Sequence, residues 1–223
     1  MKRLAIFDLD NTLLGGDSDH AWGEFLIAAG RVDADEHRRQ NNAFYQQYLD
    51  GNLDMTAYLE FAMQPVAGVP RAELDALHAR FMIDFIEPMM LDKAAALLQE
   101  HRDNGDYLLI VTATNRFITE PIAQRLGVDD LIATDLEERD GVYTGKIAGT
   151  PCFQSGKIDK LKEWLQRQPA DAGLSLANSV FYSDSFNDLP LMEAAATAVA
   201  VDPDPHLREQ AAERGWPIIS LRS

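Results

Sequence analysis

Four short apolar runs each end abruptly in a polar or acidic residue, and no other feature of the chain restricts its possible folds as much. Leu4-Ala5-Ile6-Phe7 runs into Asp8-Leu9-Asp10-Asn11-Thr12, and Tyr107-Leu108-Leu109-Ile110-Val111 into Thr112. Ser179-Val180-Phe181-Tyr182 runs into Ser183-Asp184, and Thr197-Ala198-Val199-Ala200-Val201 into Asp202. Pro217-Ile218-Ile219-Ser220-Leu221 is a fifth run of the same kind. Unbroken apolar strands are buried on both faces, so they belong to a parallel sheet covered by helices on each side. Helical patterns lie between them. Asp92 to His101 places Ala95 and Leu98 on one face with Gly105 as a stop, and Lys157 to Arg167 carries Ile158, Leu161, Trp164 and Leu165 on one stripe. The fold class is α/β, a Rossmann-like parallel sheet.

Residues 15–86 contain no strand pattern. Ser18, Asp33 and Asp54 are read as caps of three helices, bearing Trp22, Phe25 and Leu26, then Phe44, Tyr45 and Tyr48, then Tyr58, Leu59 and Phe61. Pro70 to Phe85 is read as a fourth helix, with Leu74, Leu77, Phe81 and Phe85 at helical spacing. The aromatic stripes are the packing faces of these helices, Trp22 included. The expected organisation is therefore a core of residues 1–14 and 87–223 with an all-helical cap, 15–86, inserted after the first strand. Asp140-Gly141 is read as a hairpin turn.

Charge and composition exclude several functions. Twenty Lys and Arg against 36 Asp and Glu leave a net charge of −16, which works against binding a phosphate backbone, so nucleic acid is not an expected partner. A lone Cys152 forms neither an internal disulfide nor a Cys-rich zinc site and fits a reducing compartment. No apolar run approaches the roughly 18 residues of a membrane span, and Asp8 and Asp10 interrupt the N-terminal run too early for a signal peptide. The expected location is the cytoplasm, away from membranes.

Ligands of parallel α/β sheets bind outside the carboxyl ends of the strands. Asp8 with Asp10, Thr112, and Asp184 stand at three such ends. Singly, each has an ordinary reading: a solvated loop, a helix cap, a capped first turn. Asp8 and Asp10 are two residues apart, so on extended backbone their side chains leave on one side. Two carboxylates held together require a cation or a shared proton. Asp184, Asn187 and Asp188 add oxygen atoms, and hard oxygen ligands with no paired histidine suit magnesium rather than zinc. His20, His37, His78, His101 and His206 show no metal-ligand spacing. Lys157 follows Gly156 and opens a helix, where its ammonium and the helix N-terminus both favour an anion.

These residues bear a resemblance to a known family. Phe7-Asp8-Leu9-Asp10-Asn11-Thr12-Leu13 resembles the first motif of the haloacid dehalogenase superfamily. Thr112 after Leu109-Ile110-Val111 resembles the second, Lys157 the third, and Tyr182-Ser183-Asp184-Ser185-Phe186-Asn187-Asp188 the fourth. All four stand in the family's order, and the helical insertion resembles that of the phosphoserine phosphatase branch. Within that branch, Asp10-Asn11-Thr12-Leu13-Leu14-Gly15-Gly16-Asp17-Ser18 and Thr112-Ala113-Thr114-Asn115-Arg116-Phe117 are similar to bacterial phosphatases for phosphoserine or histidinol phosphate.

The resemblance implies a phosphomonoesterase acting on a small phosphate ester. Asp8 would be the nucleophile that forms an aspartyl phosphate, and Asp10 the general acid and base. Magnesium would be held by the carboxylates of Asp8 and Asp184 and the backbone carbonyl of Asp10. Thr112 and Lys157 would neutralise the phosphoryl oxygens, and Asn115 and Arg116, which follow Thr112, are within the same reach, Asn115 being assigned to the phosphate. Asp188 and Asn187 would hold Lys157 and the metal's waters, and Thr12 would steady the Asp10 loop. The second acid, Asp10, argues against dehalogenation.

In phosphoserine phosphatases an acid after the first motif holds the amine and a cap arginine holds the carboxylate. Asp17, nine residues after Asp8, matches the acid, but residues 41–70 contain no Lys, Arg or His. Asp17 and Asp19 would favour a leaving group with positive charge and no carboxylate, which describes histidinol phosphate. Phosphoserine and other small phosphomonoesters stay open as alternatives, as does contact of His20 with the leaving group. A phosphomutase shares these motifs. A receiver-type phosphoacceptor has its lysine after the metal-binding acids, whereas Lys157 precedes Asp184.

Overall fold

A computed structural model describes residues 2–222. In chain order its strands are β1 (Leu4–Phe7), β2 (Tyr107–Asn115), β3 (Asp130–Thr134), β4 (Leu136–Arg139), β5 (Val142–Ile147), β6 (Ser179–Ser183), β7 (Thr197–Val201) and β8 (Ile218–Ile219). Six of them form one parallel sheet in the order β3-β2-β1-β6-β7-β8, and β4 pairs with β5 as a separate antiparallel hairpin. The helices are α1 (Ser18–Ala28), α2 (Ala34–Leu49), α3 (Met55–Met63), α4 (Arg71–Phe81), α5 (Asp92–Asp103), α6 (Arg116–Leu126), α7 (Ser155–Arg167), α8 (Leu189–Ala194) and α9 (Pro205–Arg214).

Alternate residues of each strand enter opposite layers, as the two-residue period of a pleated strand requires. Ala5, Phe7, Leu108, Ile110, Val180 and Tyr182 join one core with Leu98 of α5 and Ile118 and Ile122 of α6. Leu4, Ile6, Leu109, Val111 and Phe181 join the other, with Leu161 and Trp164 of α7, Leu191 of α8 and Leu207 of α9. This double cover is why the strands read as continuous apolar runs.

The helices between β1 and β2 are held in two ways. Trp22 and Phe25 of α1 and Phe81 of α4 belong to the same core as Phe7 and Phe117, so these helices pack directly on the sheet layer. Met55, Tyr58, Leu59 and Ala62 of α3 form a smaller cluster with Phe44 and Phe61, reaching Ala113, Ile147 and Phe153. Where the chain leaves and rejoins the sheet, Leu14 bridges Met90 and Gly15 N donates to Met89 O at 2.8 Å.

Several local expectations require correction. β2 continues past Val111 to Asn115, with a register shift between Val111 and Asn115. Its extra length pairs with β3, a short strand between acidic residues that carries too few apolar side chains to stand out. Asp17, not Ser18, caps α1: its carboxylate accepts from His20 N, and Ser18 is the first helical residue. The helix read from Pro70 to Phe85 ends at Phe81 and passes into a π-helical turn, Met82–Ile86. The turn ends one residue before Glu87-Pro88, where proline's missing N–H prevents further helix of the same kind. The Asp140-Gly141 turn joins β4 to β5 with both residues at positive φ, 51° and 79°, the geometry a tight hairpin needs. No helix among the described residues is long and apolar enough to cross a membrane.

Candidate active site

β1 lies at the middle of the sheet, between β2 and β6, where the strand order reverses. A crevice outside the strands' carboxyl ends opens at such a point. The shared register, Phe7 opposite both Ile110 and Tyr182, brings the residues that follow β1 level with Thr112 and with Ser183-Asp184. Asp8, Asp10, Thr112 and Asp188 are all buried there.

Each carboxylate has its own partners. Asp10 Oδ1 accepts from Ser18 N at 2.7 Å, at the N-terminus of α1, and Oδ2 accepts from Thr114 Oγ1 at 2.8 Å. Thr12 Oγ1 donates to Asp184 Oδ1 at 2.9 Å and accepts from Asp184 N at 3.0 Å, tying the loop after β1 to the end of β6. Lys157 Nζ donates to Asp8 Oδ1 at 2.8 Å and lies 2.7 Å from Asp188 Oδ1 and 2.8 Å from Oδ2. Ser183 Oγ donates to Asp188 Oδ2 at 2.7 Å.

One ammonium thus faces several buried acids, and the charge imbalance shows in their proton affinities. Burial pushes the Asp8 carboxyl up to about 7 even though Lys157 opposes the rise. Burial, then the charge of Asp17, lifts Asp10 to about 6 against its hydrogen bonds from Ser18 and Thr114. Asp184 is raised well above the usual carboxylate range by burial and then by Asp8. Burial by itself would lower the Lys157 ammonium, but Asp188 and Asp8 outweigh it and hold the amine charged. Among the described residues no lysine, arginine or histidine makes an ion pair with Asp184. A half-buried carboxylate without a cationic partner, beside the buried Asp8, calls for an external cation.

Lys157 is placed by a tight turn. Gly156 sits where an added Cβ would lie 2.2 Å from Pro151 O, and Gln154 just before it is held at φ 49°, ψ −121°. Gly156→Ala is expected to push the start of α7 away from Asp8 and to lower stability by about 1–3 kcal/mol, the usual cost of overpacking. A urea melt beside a kcat/KM measurement checks this, with a loss in both expected.

A pocket opens from Asp8 and Asp10 towards α1, α2 and α3. It is lined by Asp17, Asp19, His20, Asn41, Phe44, Tyr45, Tyr48, Leu53, Met55 and Tyr58, with Thr112, Ala113 and Thr114 at its inner end, and includes neither lysine nor arginine. Its space, mouth included, is about 510 Å³. Burial raises the carboxyls of both Asp17 and Asp19.

The residues singled out in the sequence do not all meet here. Asp8, Asp10, Asp17, Asp19 and Thr112 line the pocket, Lys157 joins them through Asp8 and carries Asp188 with it, and Thr12 and Asp184 bond to each other where Asp184 feels the charge of Asp8. Asn115 does not line it: the side chain is fully buried and Oδ1 caps α6 by accepting from Ile118 N at 3.2 Å. Arg116 is bound to Asp135 at 2.8 Å. Asn187 does not hold Lys157; its Nδ2 donates to Tyr48 O at the end of α2 and its Oδ1 accepts from Gln154 Nε2, each at 3.2 Å. Two further residues, Thr114 and Ser183, take part through Asp10 and Asp188. Thr114 follows Thr112 by two residues, a spacing that puts both side chains on one side of extended backbone, so that signal was present.

Paired acids, a buried lysine and a helix N-terminus at the carboxyl ends of a parallel sheet define an α/β enzyme built to handle an anion. The chain belongs to the haloacid dehalogenase-like hydrolase family, whose model matches residues 5–193. It is 44% identical over 223 residues, the whole of both chains, to a histidinol-phosphatase of Neisseria meningitidis serogroup C. It is 33% identical to the phosphoserine phosphatase SerB1 of Mycobacterium tuberculosis, over 98% of this chain and 70% of that one. A crystal structure of a Bordetella pertussis protein of unknown function superimposes with a TM-score of 0.90 at 46% identity, covering 99% of each chain.

Proposed function

We propose that this enzyme is a magnesium-dependent phosphomonoesterase working through an aspartyl phosphate on Asp8, and that histidinol phosphate is its substrate. The pocket's lining carries the substrate assignment: buried Asp19 and half-buried Asp17, an aromatic wall and no lysine or arginine. A leaving group with an ammonium and an imidazole suits that wall, and the 44% identity to a histidinol-phosphatase supports the same reading.

In the first step a carboxylate oxygen of Asp8 bonds to phosphorus as the ester P–O bond breaks, and Asp10 gives its proton to the departing alkoxide. Burial of Asp10 favours the protonated form this requires. Water then attacks phosphorus, returns a proton to Asp10, and releases phosphate from Asp8. Thr112 and Lys157 bind the phosphoryl oxygens, with Asp188 and Ser183 fixing the lysine. Hydrogen bonds from Ser18 N and Thr114 keep Asp10 aimed at the leaving oxygen.

Asp8 and Asp184 with the Asp10 carbonyl fit magnesium, since all donors are oxygens and their charge exceeds what Lys157 neutralises. Such a donor set suits an ion that keeps several waters and binds through one or two carboxylates. When bound, the metal supplies charge stabilisation to the phosphoryl group. Residues 15–86 act as the cap that excludes water, a reading supported by the tie between Leu14 and Met90 at its two ends. A buried Cys152, its thiol pushed up to about 12 by burial, and the acidic surface accord with a cytoplasmic enzyme of small metabolites.

Phosphoserine is the second reading, favoured by the SerB1 relationship, but its carboxylate would meet Asp17 and Asp19 with no cation in the lining. Phosphate release with magnesium should show kcat/KM for histidinol phosphate exceeding that for phosphoserine by about tenfold or more, one charged contact's worth of discrimination, and chelation should stop both. A preference for phosphoserine would overturn the assignment.

A further inference from the structure

The two acids of the pocket are not equivalent. Asp17 spends Oδ1 as the N-cap of α1, accepting from His20 N at 2.8 Å. Asp19, in the first turn of the same helix, is only 7% exposed, and its Oδ1 has no hydrogen-bond partner. The Tyr58 hydroxyl of α3, on a side chain only 8% exposed, lies close enough to oppose the rise of the Asp19 carboxyl. His20 Nδ1 is likewise buried without a partner, and the His20 ring lies 5.1 Å from that of Tyr45. A half-satisfied carboxylate among Phe44, Tyr45, Met55 and Tyr58 is costly unless a donor completes it.

The acids also differ in their place on the pocket wall. Asp17 is the N-cap immediately before Ser18, whose N–H binds the carboxylate of Asp10, whereas Asp19 follows Ser18 in the first turn of α1. The wall continues from there to Met55 and Tyr58 of α3, away from the phosphate end. In histidinol phosphate the ammonium is close to the ester oxygen and the ring is distal.

We infer that Asp19, beside Tyr58 and flanked by His20, is the subsite for the distal imidazole ring, accepting a ring N–H on Oδ1, while Asp17 serves the ammonium. This rests on the histidinol-phosphate reading and adds a specificity-determining residue to it. The aromatic wall supplies faces for a flat, cationic ring. Phosphate esters that carry an amine but no ring leave Asp19 unsatisfied, so the subsite rejects them as well as selecting the ring.

The test compares the full-length enzyme with Asp19→Asn and Tyr58→Phe on histidinol phosphate, which has both ammonium and ring, and on phosphoethanolamine, which has the ammonium alone. The ratio of kcat/KM values for the two esters is expected to fall about 10- to 100-fold in Asp19→Asn, the loss of a hydrogen bond to a charged group, and by less in Tyr58→Phe. Asp17→Asn should lower both esters together and leave the ratio in place. An unchanged ratio in Asp19→Asn, or a fall in Asp17→Asn instead, overturns the subsite. Calorimetric binding of histidinol gives a second readout that needs no turnover. Weakening of about tenfold or more in Asp19→Asn supports the subsite even if the esterase assignment fails, and equal binding by both proteins overturns it. A wild-type enzyme that hydrolyses phosphoethanolamine as well as histidinol phosphate retains the phosphatase reading and removes the ring subsite.

Discussion

Asp8→Asn protein is expected to lose turnover by roughly 10⁵-fold or more, the scale seen when a covalent nucleophile is removed from its constellation. Its fold should survive. Asparagine keeps an oxygen for Lys157 Nζ, now 2.8 Å from Asp8 Oδ1, and removes one negative charge from a cluster in which buried Asp8 and Asp188 and half-buried Asp184 outnumber a single ammonium. In metal-free buffer the variant's Tm should therefore equal or exceed that of the wild type, since active sites trade stability for chemistry. Scanning calorimetry alongside phosphate release checks both halves. Residual activity above about 1% would show that Asp8 is not the attacking group.

Lys157→Met should do the opposite to stability. It leaves Asp8 and Asp188 facing each other without the ammonium that each contacts at 2.7–2.8 Å. Breaking a buried ion pair by removing one partner costs about 3–5 kcal/mol, because the remaining charge stays buried and unpaired. Turnover should fall by about 10³-fold, as the phosphoryl group loses its fixed cation. The double variant Lys157→Met/Asp188→Asn separates the two effects: the urea midpoint should recover in part, while kcat/KM should not. Full recovery of both would mean that Lys157 serves only to neutralise Asp188.

The contrast between these variants follows from geometry that no single stretch of sequence contains. Lys157 lies 149 residues from Asp8 and 31 from Asp188, and its value to each depends on α7 starting where Gly156 lets it approach Pro151. The latch formed by Asn187 between Tyr48 O and Gln154 is of the same kind. It joins the end of α2 to the turn after β6, one residue before Asp188.

What the amino-acid sequence determined by itself was the sheet and the chemistry at its rim. Apolar runs with no polar interruption can only be strands covered on both sides, and the order Asp8, Thr112, Lys157, Asp184 assigns an oxygen-rich, anion-handling edge to them. Strand β3 escaped because three apolar side chains between acids and threonine carry no decisive period. Only the tertiary structure decided how the polar groups divide their work. Asn115 became a helix cap, Thr114 a partner of Asp10 from 104 residues away, and Asp17 a cap while Asp19 was left half satisfied. Residue type and spacing state which groups can donate or accept. Which donor reaches which acceptor depends on side-chain direction across packed elements, and that is settled only when the helices close on the sheet.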